Sequence, residues 1–283
     1  MLVTAKEMLA QARARQYAVP AFDCVEDVFV RAALETAQAC RSPIILMCLE
    51  PDMAGNGWNY FSGLVRAVAG CHDVPVVLHL DHTTKLDMIR RAVDSGFTSV
   101  MIDGSALPFA GNVELTRKAV EIAHPHGVSV EAELGCVGGM DLAETACTEN
   151  VLTESAEVER FVAETDVDSL AVSIGTSHGV YRSLPTLNIA RLKELNAASR
   201  VPLVLHGGSG TPVDQVQEAI RNGIAKINIY ADCRIAMCEG ARRAVAAVRR
   251  PDPLPHEIFG PIRESVAAAV REKIEMLFAC NRV

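Results

Sequence analysis

The stretch Val74-Pro75-Val76-Val77-Leu78-His79-Leu80-Asp81-His82 decides how the rest of the chain is interpreted. Its first half is a short apolar run of the kind that forms a strand buried on both faces. The run then ends in an acid and two imidazoles, and Thr83-Thr84 predicts the start of a helix. Ionisable side chains at the end of a buried strand are costly unless they react with or bind something. Asp81 and His82 are therefore candidate functional residues.

Strand and helix patterns alternate along the whole chain on both sides of this stretch. The predicted strands are 18–22, 43–48, 74–80, 99–103, 129–134, 169–174, 202–206 and 225–229. The predicted helices are 26–40, 60–71, 86–95, 113–126, 156–165, 189–198, 213–222 and 231–248, with an extra C-terminal helix at about 262–280. Eight strand–helix units predict an α/β fold, a (β/α)8 TIM barrel formed by residues 1–283 as a single domain. A doubly wound open sheet is the competing architecture, but no Gly-rich dinucleotide turn follows the first strand.

Composition narrows the class of protein further. A net charge of −8 without a basic tract argues against a nucleic-acid binder, and the broken apolar runs argue against a membrane span. The N-terminal residues show no signal-peptide pattern. The nine cysteines are scattered without a C-x-x-C pair, which is typical of reduced thiols in a cytoplasmic protein.

Polar residues follow most of the predicted strands, where the active site of such a barrel lies. The residues at these strand ends are Asp81, His82, Asp103, Glu131, Glu133, His178, His206 and Asn228. A single histidine in such a place is more often a hydrogen-bonded structural group, but His82, His178 and His206 share one rim. Three imidazoles with an open fourth position form a catalytic zinc arrangement. Asp103 and Glu133 either support these ligands, bind a second cation, or accept hydrogen bonds from loop amides.

Two loops extend this rim. His206-Gly207-Gly208-Ser209-Gly210 leads into a helix, so its amides predict an anion site of the kind that binds phosphate after strands seven and eight. Asn228 is placed to share that ligand. The loop at about 135–154 is long for a plain connection and contains Gly138-Gly139 and Asp141. We interpret it as a lid that brings an acid to the site, with an ordinary surface loop as the alternative.

A metal, a neighbouring acid and a phosphate cradle suit one kind of chemistry. A zinc ion can polarise a carbonyl and stabilise the enediolate formed from it, and Asp81 can move a proton. That combination favours carbon–carbon cleavage, or proton abstraction beside a carbonyl, on a phosphorylated sugar. Hydrolysis by zinc is less suited to a site that holds its substrate at one end.

The chain resembles the zinc-dependent class II ketose-bisphosphate aldolases, which include fructose- and tagatose-bisphosphate aldolases. The resemblance rests on stretches that run nearly end to end in the family's order. These are Tyr17-Ala-Val-Pro-Ala-Phe22, His79-Leu-Asp-His82, Ser99-Val-Met-Ile-Asp-Gly-Ser105, Val130-Glu-Ala-Glu-Leu-Gly135, Leu170-Ala-Val-Ser-Ile-Gly-Thr-Ser-His-Gly179, Pro202-Leu-Val-Leu-His-Gly-Gly-Ser-Gly210 and Lys226-Ile-Asn228.

The resemblance implies a role for each matching residue. It implies His82, His178 and His206 as ligands of a catalytic Zn²⁺, Asp103 and Glu133 near a possible second cation, and Asp81 as the group that moves the proton of the aldehyde-side hydroxyl. The implied dihydroxyacetone-phosphate pocket comprises Gly179, Gly207, Gly208, Ser209 and Asn228. Arg234 resembles an arginine that some members use for the far phosphate, and Asp141 takes the place of the lid's catalytic acid. The family implies a lyase of carbohydrate metabolism that acts as a homodimer or homotetramer.

Several positions depart from the family pattern. Asp23 stands where Asn is usual, Leu49 replaces Ser or Thr, Tyr230 is bulky, Ala231 replaces Thr, and Asp141 replaces Glu. We therefore expect an aldolase whose preferred substrate is not fructose 1,6-bisphosphate. The alternatives are a zinc-dependent sugar-phosphate epimerase or dehydratase, and a non-catalytic sugar-phosphate-binding descendant.

Overall fold

The structure, a computed structural model, describes residues 1–139, 150–179, 181 and 183–283. Eight parallel strands form a closed barrel in the order in which they occur along the chain, because the last strand pairs with the first. The strands are β1 (Val19–Asp23), β2 (Ile44–Cys48), β3 (Val76–Thr83), β4 (Ser99–Ile102), β5 (Ser129–Leu134), β6 (Ser169–Val172), β7 (Leu203–Leu205) and β8 (Ile224–Ile229). The predicted single-domain (β/α)8 barrel is confirmed.

Helices surround the barrel in the described part of the chain. They are α1 (Ala5–Ala14), α2 (Asp27–Cys40), α3 (Gly57–Val68), α4 (Leu86–Asp94), α5 (Phe109–Ala123), α6 (Ser155–Thr165), α7 (Ile189–Ala198), α8 (Val213–Arg221), α9 (Ala231–Ala247) and α10 (Pro255–Met276). Short 3₁₀ segments lie at Glu50–Met53, Ala69–Cys71 and His124–His126. Every residue of the eight strands is buried, because side chains on one face fill the barrel and those on the other meet the helices.

Several elements differ from the sequence prediction by a few residues, and three differences are larger or of another kind. α1 was not predicted, although its buried Met8, Leu9 and Ala12 lie on one helical face. β3 continues through Thr83, where the threonine pair had indicated a helix start. α10 begins at Pro255 rather than near residue 262, because a proline is favourable at the first helical position.

The last helix completes the wall beside the first strands. α10 packs against α2 and α9, and Val266, Val270 and Ile274 on its inner face are fully buried. Gly240 of α9 lies at the crossing with α10, where an added Cβ would be 2.7 Å from the Cα of Ile262. The close approach of these two helices therefore requires glycine at this position.

Two further expectations can be compared with the structure. Of the cysteines that the structure describes, seven are free thiols and Cys136 is disulfide-bonded, so the expectation of reduced thiols was wrong for this residue. Within residues 1–139, 150–179, 181 and 183–283, no helix is both long and apolar enough to cross a membrane.

We expect Gly240→Ala to lower the free energy of unfolding by about 1–3 kcal/mol, because overpacking forces α9 and α10 apart. Gly63→Ala in α3 is the matched control, since nothing lies within 4 Å of an added Cβ there. That control should be neutral or stabilise the helix by about 0.5–1 kcal/mol. Thermal and urea unfolding measure both changes, and equal effects of the two substitutions would contradict the packing argument.

Candidate active site

The end of β3 departs from regular strand geometry at the residues that matter. The pairing of β3 with β4 shifts register between Leu80 and Thr83, and His82 has a left-handed φ of +31°. In a regular strand Asp81 and His82 would point to opposite faces. Here both are buried and each contacts a residue at another strand end. The irregular backbone therefore directs two consecutive polar side chains to one rim, at the cost of local strain.

Three histidines from three strand ends meet at the centre of this rim. His82, His178 and His206 each offer a ring nitrogen, and these atoms lie within 4.8 Å of one another. The ring centroids of His82 and His206 are 4.6 Å apart. His82 Nε2 and His178 Nδ1 are buried and have no hydrogen-bond partner among the described residues. Buried ring nitrogens without partners are costly unless a further group binds them.

His82 is oriented by a carboxylate at the end of β4. His82 Nδ1 donates a hydrogen bond to Asp103 Oδ2 at 3.0 Å, which leaves Nε2 facing the other histidines. Asp103 is fixed in turn by the backbone N–H and the hydroxyl of Ser105, at 3.0 and 2.6 Å. Burial alone would raise the pKa of Asp103, but these hydrogen bonds and His82 hold it well below its usual value. Asp103 is therefore an ionised acceptor that selects the tautomer of His82.

His206 has a different environment, because both of its ring nitrogens face carboxylates. Nδ1 donates to Glu133 Oε2 at 2.9 Å, and Nε2 donates to Glu131 Oε1 at 3.0 Å. Burial would lower the pKa of His206, but the two glutamates outweigh it and raise the pKa to about 10. The site therefore stabilises a positive charge at this ring. A cation that displaces the proton on the Glu133 side would meet the same negative environment.

His178 completes the group as a neutral ring. Burial, together with the positive charge on His82 and His206, lowers the pKa of His178 to about 3. Its lone pair is thus available near pH 7, and a neutral imidazole is the form that binds metals. Asp103 and Glu133, the predicted second cation position, form another group with His82 within 4.8 Å. Each of these acids already accepts a hydrogen bond from a histidine, so the second cation stays a prediction.

A buried ion pair lies directly below His206. Lys226 Nζ contacts both carboxylate oxygens of Glu131, at 2.8 and 2.9 Å, and both side chains are fully buried. Since β5 and β8 are not neighbours in the barrel, this contact crosses its interior. Burial would raise the pKa of Glu131, but Lys226 and His206 lower it below its usual value. Glu131 therefore stays ionised and fixes the Nε2 side of His206.

Asp81 lies beside the histidines and makes its own contact across the barrel mouth. Asn228 Nδ2 donates to both carboxylate oxygens of Asp81, at 3.0 and 3.1 Å. Burial opposes ionisation of Asp81, but the positive charges of His82 and Lys226 lower its pKa overall. His79 lies two residues before Asp81 in β3. Its ring contacts Ser99 Oγ at 2.7 Å, and burial lowers its pKa to about 3. Asp81 is thus ionised, whereas His79 is a neutral group of the core.

A cavity of about 390 Å³ opens beside these residues. It is lined by Asp23, Asp81, His178, Gly179, Gly207, Ser209, Asn228, Tyr230 and Ala231. Gly207 has φ +67°, and a Cβ there would collide with the Ser177 backbone. Ser209 Oγ accepts hydrogen bonds from the N–H groups of Tyr230 and Asp232, at 3.2 and 3.3 Å, in the first turn of α9. The glycine loop and the N-terminus of α9 therefore form one wall of the cavity.

Some predicted site residues lie elsewhere. Gly208 is not among the residues that line the cavity. Its N–H donates a hydrogen bond to the carbonyl oxygen of Asn228 at 3.1 Å. Arg234 is not a lining residue either, and its guanidinium carbon lies 4.3 Å from the ring centre of Tyr230. Asp141 falls outside the described residues, as does most of the predicted lid. The site assignments for these three residues stay predictions.

Sequence reasoning missed two features of the site. Lys226 was noted only as part of a matching motif, although a lysine inside an apolar strand indicates a buried partner. Asp23 was noted as a departure, but its place in the cavity wall follows only from the pairing of β1 with β8. Neither contact can be inferred from spacing along the chain.

The fold and the site define an α/β-barrel enzyme with a candidate metal centre beside an ionised acid. The family model described as "Fructose-bisphosphate aldolase class-II" matches residues 3–282. The chain belongs to this family. It is therefore a metal-dependent aldolase, a lyase of carbohydrate metabolism, and the family favours this activity over the epimerase, dehydratase and non-catalytic alternatives.

Individual relatives agree with this assignment. A protein named fructose-bisphosphate aldolase from Staphylococcus epidermidis is 38% identical over 289 residues, covering 99% of each chain. The crystal structure of the YdjI aldolase from Escherichia coli K12 has a TM-score of 0.89 at 32% identity, covering 100% of this chain and 99% of that one. A putative fructose-1,6-biphosphate aldolase from Coccidioides immitis has a TM-score of 0.86 at 30% identity, covering 98% and 96%.

We expect Lys226→Met to lower the free energy of unfolding by about 3–5 kcal/mol, because it leaves Glu131 buried and unpaired. Adding Glu131→Gln should recover part of this loss, since the double variant has no uncompensated charge. Lys118→Met, which removes an exposed pair with Glu114, should change stability by less than about 1 kcal/mol. Urea unfolding of the wild type, Lys226→Met, Glu131→Gln, the double variant and Lys118→Met tests this coupling, which strictly additive losses would contradict.

Proposed function

We infer that this chain catalyses the reversible cleavage of a phosphorylated ketose to dihydroxyacetone phosphate and an aldehyde. The observation that carries the proposal is the convergence of His82, His178 and His206 within 4.8 Å, beside the ionised Asp81. A metal centre beside a carboxylate is what aldol cleavage requires, and the names of the relatives point to a sugar phosphate as substrate.

The three histidines fit a Zn²⁺ ion. Within the described part of the chain, His82 Nε2 and His178 Nδ1 have no hydrogen-bond partner, and His206 Nδ1 can exchange its proton for a cation. Three imidazoles leave one position open, as catalytic zinc sites do. When bound, the ion supplies a Lewis acid that polarises a substrate carbonyl oxygen. Asp103 holds the ring of His82 and Glu131 holds that of His206 in the orientation that this binding needs.

Asp81 acts as the base in the cleavage direction. It accepts the proton of the hydroxyl on the aldehyde side, and the neighbouring carbon–carbon bond then breaks. The electron pair of that bond stays with the dihydroxyacetone-phosphate fragment, whose carbon is reprotonated before release. Asn228 holds the carboxylate in place through its two hydrogen bonds. Asp141 is proposed as the acid that returns the proton.

The glycine loop and the start of α9 bind the phosphate of dihydroxyacetone phosphate. Gly207 brings backbone close to the cavity, and the first turn of α9 contributes the positive end of its dipole. Ser209 accepts hydrogen bonds from two amides and keeps its own hydroxyl proton to donate. Gly179 lines the same cavity. The family further supports a cytoplasmic enzyme that assembles as a homodimer or homotetramer.

We expect Asp81→Asn to reduce dihydroxyacetone phosphate release by about 10²–10⁴-fold, because an amide cannot accept the hydroxyl proton. A coupled reductase assay on a panel of ketose mono- and bisphosphates measures this loss. The zinc content should stay unchanged, since the proposed zinc ligands are His82, His178 and His206 and do not include Asp81. Cleavage at the wild-type rate by Asp81→Asn would refute the assignment of the base.

We expect His178→Ala to reduce bound zinc well below one ion per chain, because a two-histidine site lacks the third ligand. Elemental analysis after dialysis against a weak chelator measures the metal directly. His256→Ala removes an exposed histidine at the start of α10 and serves as the control. Full zinc occupancy in His178→Ala would show that the metal binds elsewhere.

A further inference from the structure

Asp23 is a buried acid in the wall of the substrate cavity. It ends β1, is 5% exposed, and lines the cavity together with Asp81 and Ala231. Its Oδ1 atom is buried and has no hydrogen-bond partner among the described residues. An unpaired buried carboxyl oxygen is unfavourable unless a ligand supplies the missing hydrogen bond. The free atom therefore marks a contact that a bound substrate would complete.

Asp23 also lies next to a second, larger concave region. This acidic groove, of about 1050 Å³, lies between the β1–α2 and β2–α3 loops. Glu26, Asp27 and Asp52 are among the residues that line it, with Phe61 and Leu64 as apolar neighbours. The two regions interact electrostatically, because burial and the charges of Asp81 and Asp52 raise the pKa of Asp23 well above its usual value. Asp52 of the groove therefore lies within electrostatic reach of Asp23.

The charge of these walls is one-sided. The residues that line the cavity and the acidic groove include five carboxylic acids, Asp23, Glu26, Asp27, Asp52 and Asp81, and no described lysine or arginine. Lys226, whose charge also acts on Asp23, is paired with Glu131 below His206. A second phosphate on the substrate would meet carboxylic acids in this region and no lysine or arginine among the lining residues, and like charges brought together disfavour binding.

Asp23 favours hydroxyl groups over a phosphate in either protonation state. As a carboxylate it repels an anion and accepts hydrogen bonds from hydroxyl groups. As a neutral acid it offers a single O–H donor and still accepts hydrogen bonds from hydroxyl groups. Neither form provides the set of N–H donors or the positive charge that holds a phosphate dianion. Sugar hydroxyls satisfy both forms.

Leu49 follows β2 and is 7% exposed, and its backbone N–H donates to Asp52 Oδ2 at 3.2 Å. This hydrogen bond fixes Asp52, whose charge acts on Asp23.

We propose that Asp23 and the acidic groove select an aldehyde half that carries no phosphate, so that the substrate is a ketose 1-phosphate with an uncharged polyhydroxylated tail. The inference rests on the proposed aldolase function and adds the chemical class of the second product. The phosphate bound by the glycine loop is then the single phosphate of the substrate.

The test compares kcat/KM for fructose 1-phosphate and tagatose 1-phosphate with that for the corresponding 1,6-bisphosphates, using the zinc-loaded enzyme. The wild type should favour the monophosphates. Asp23→Asn should shift the ratio toward the bisphosphates by about tenfold or more, mainly through a lower KM for the bisphosphate, because the amide is uncharged at every pH and offers two N–H donors. Asp252→Asn is the matched control, since it removes an exposed charge on the loop before α10 and should leave the ratio unchanged.

The outcomes separate the two proposals. Bisphosphate preference in the wild type, or an unchanged ratio in Asp23→Asn, overturns the selection by Asp23 while the aldolase function stands. Absence of dihydroxyacetone phosphate from every ketose phosphate, with zinc bound, overturns the proposed function itself. Asp52→Asn covers the case in which Asp23→Asn does not fold, and it should shift the ratio in the same direction by a smaller factor. No shift in that variant also counts against the proposal.

Discussion

The ion pair between Lys226 and Glu131 is the interaction on which the rest of the site depends. It crosses the barrel interior from β8 to β5, and it keeps a carboxylate charged where burial would otherwise neutralise it. That carboxylate holds Nε2 of His206, so Nδ1, which contacts Glu133, is the ring nitrogen left to exchange its proton for a cation. The barrel thus contains a charged connection between its packed interior and its open rim, and the orientation of a candidate ligand is set from below.

The same principle operates on His82 from the side. Asp103 on the neighbouring strand fixes its tautomer, while the left-handed backbone at His82 turns the ring inward. The two arrangements differ in how the cost is met. For His206 the cost is desolvation of charges, which a close ion pair offsets. For His82 it is backbone strain, which the surrounding strands must stabilise. Both costs are concentrated at residues that sequence analysis identifies as functional.

The sequence predicts the barrel and most strand bounds because apolar runs and turn residues report local structure. β5 and α7 have the predicted limits. The start of α10 was predicted too late, because its internal Pro261 resembles the proline of a helix start. Strand ends also predict that the three histidines share a rim. Asp103 and Glu133 were expected as supports of these histidines, but the pair of Glu131 and Lys226 was beyond sequence reasoning, because the two residues are far apart along the chain and meet only when the barrel closes. The exposure of Asp23 to the cavity depends on the same closure.

Gly207 and Gly208 cannot accept a side chain without collision with the neighbouring backbone or side chains. The end of the cavity near the glycine loop is therefore built from main chain, whose shape no point substitution can adjust gradually. Other parts of the cavity wall are ordinary side chains, such as Asp23 and Tyr230, which can change one at a time. Evolution within this architecture is expected to keep one product constant while the other diversifies. The range of substrates in such barrels then depends on side chains of the cavity wall that can change while the catalytic residues stay the same.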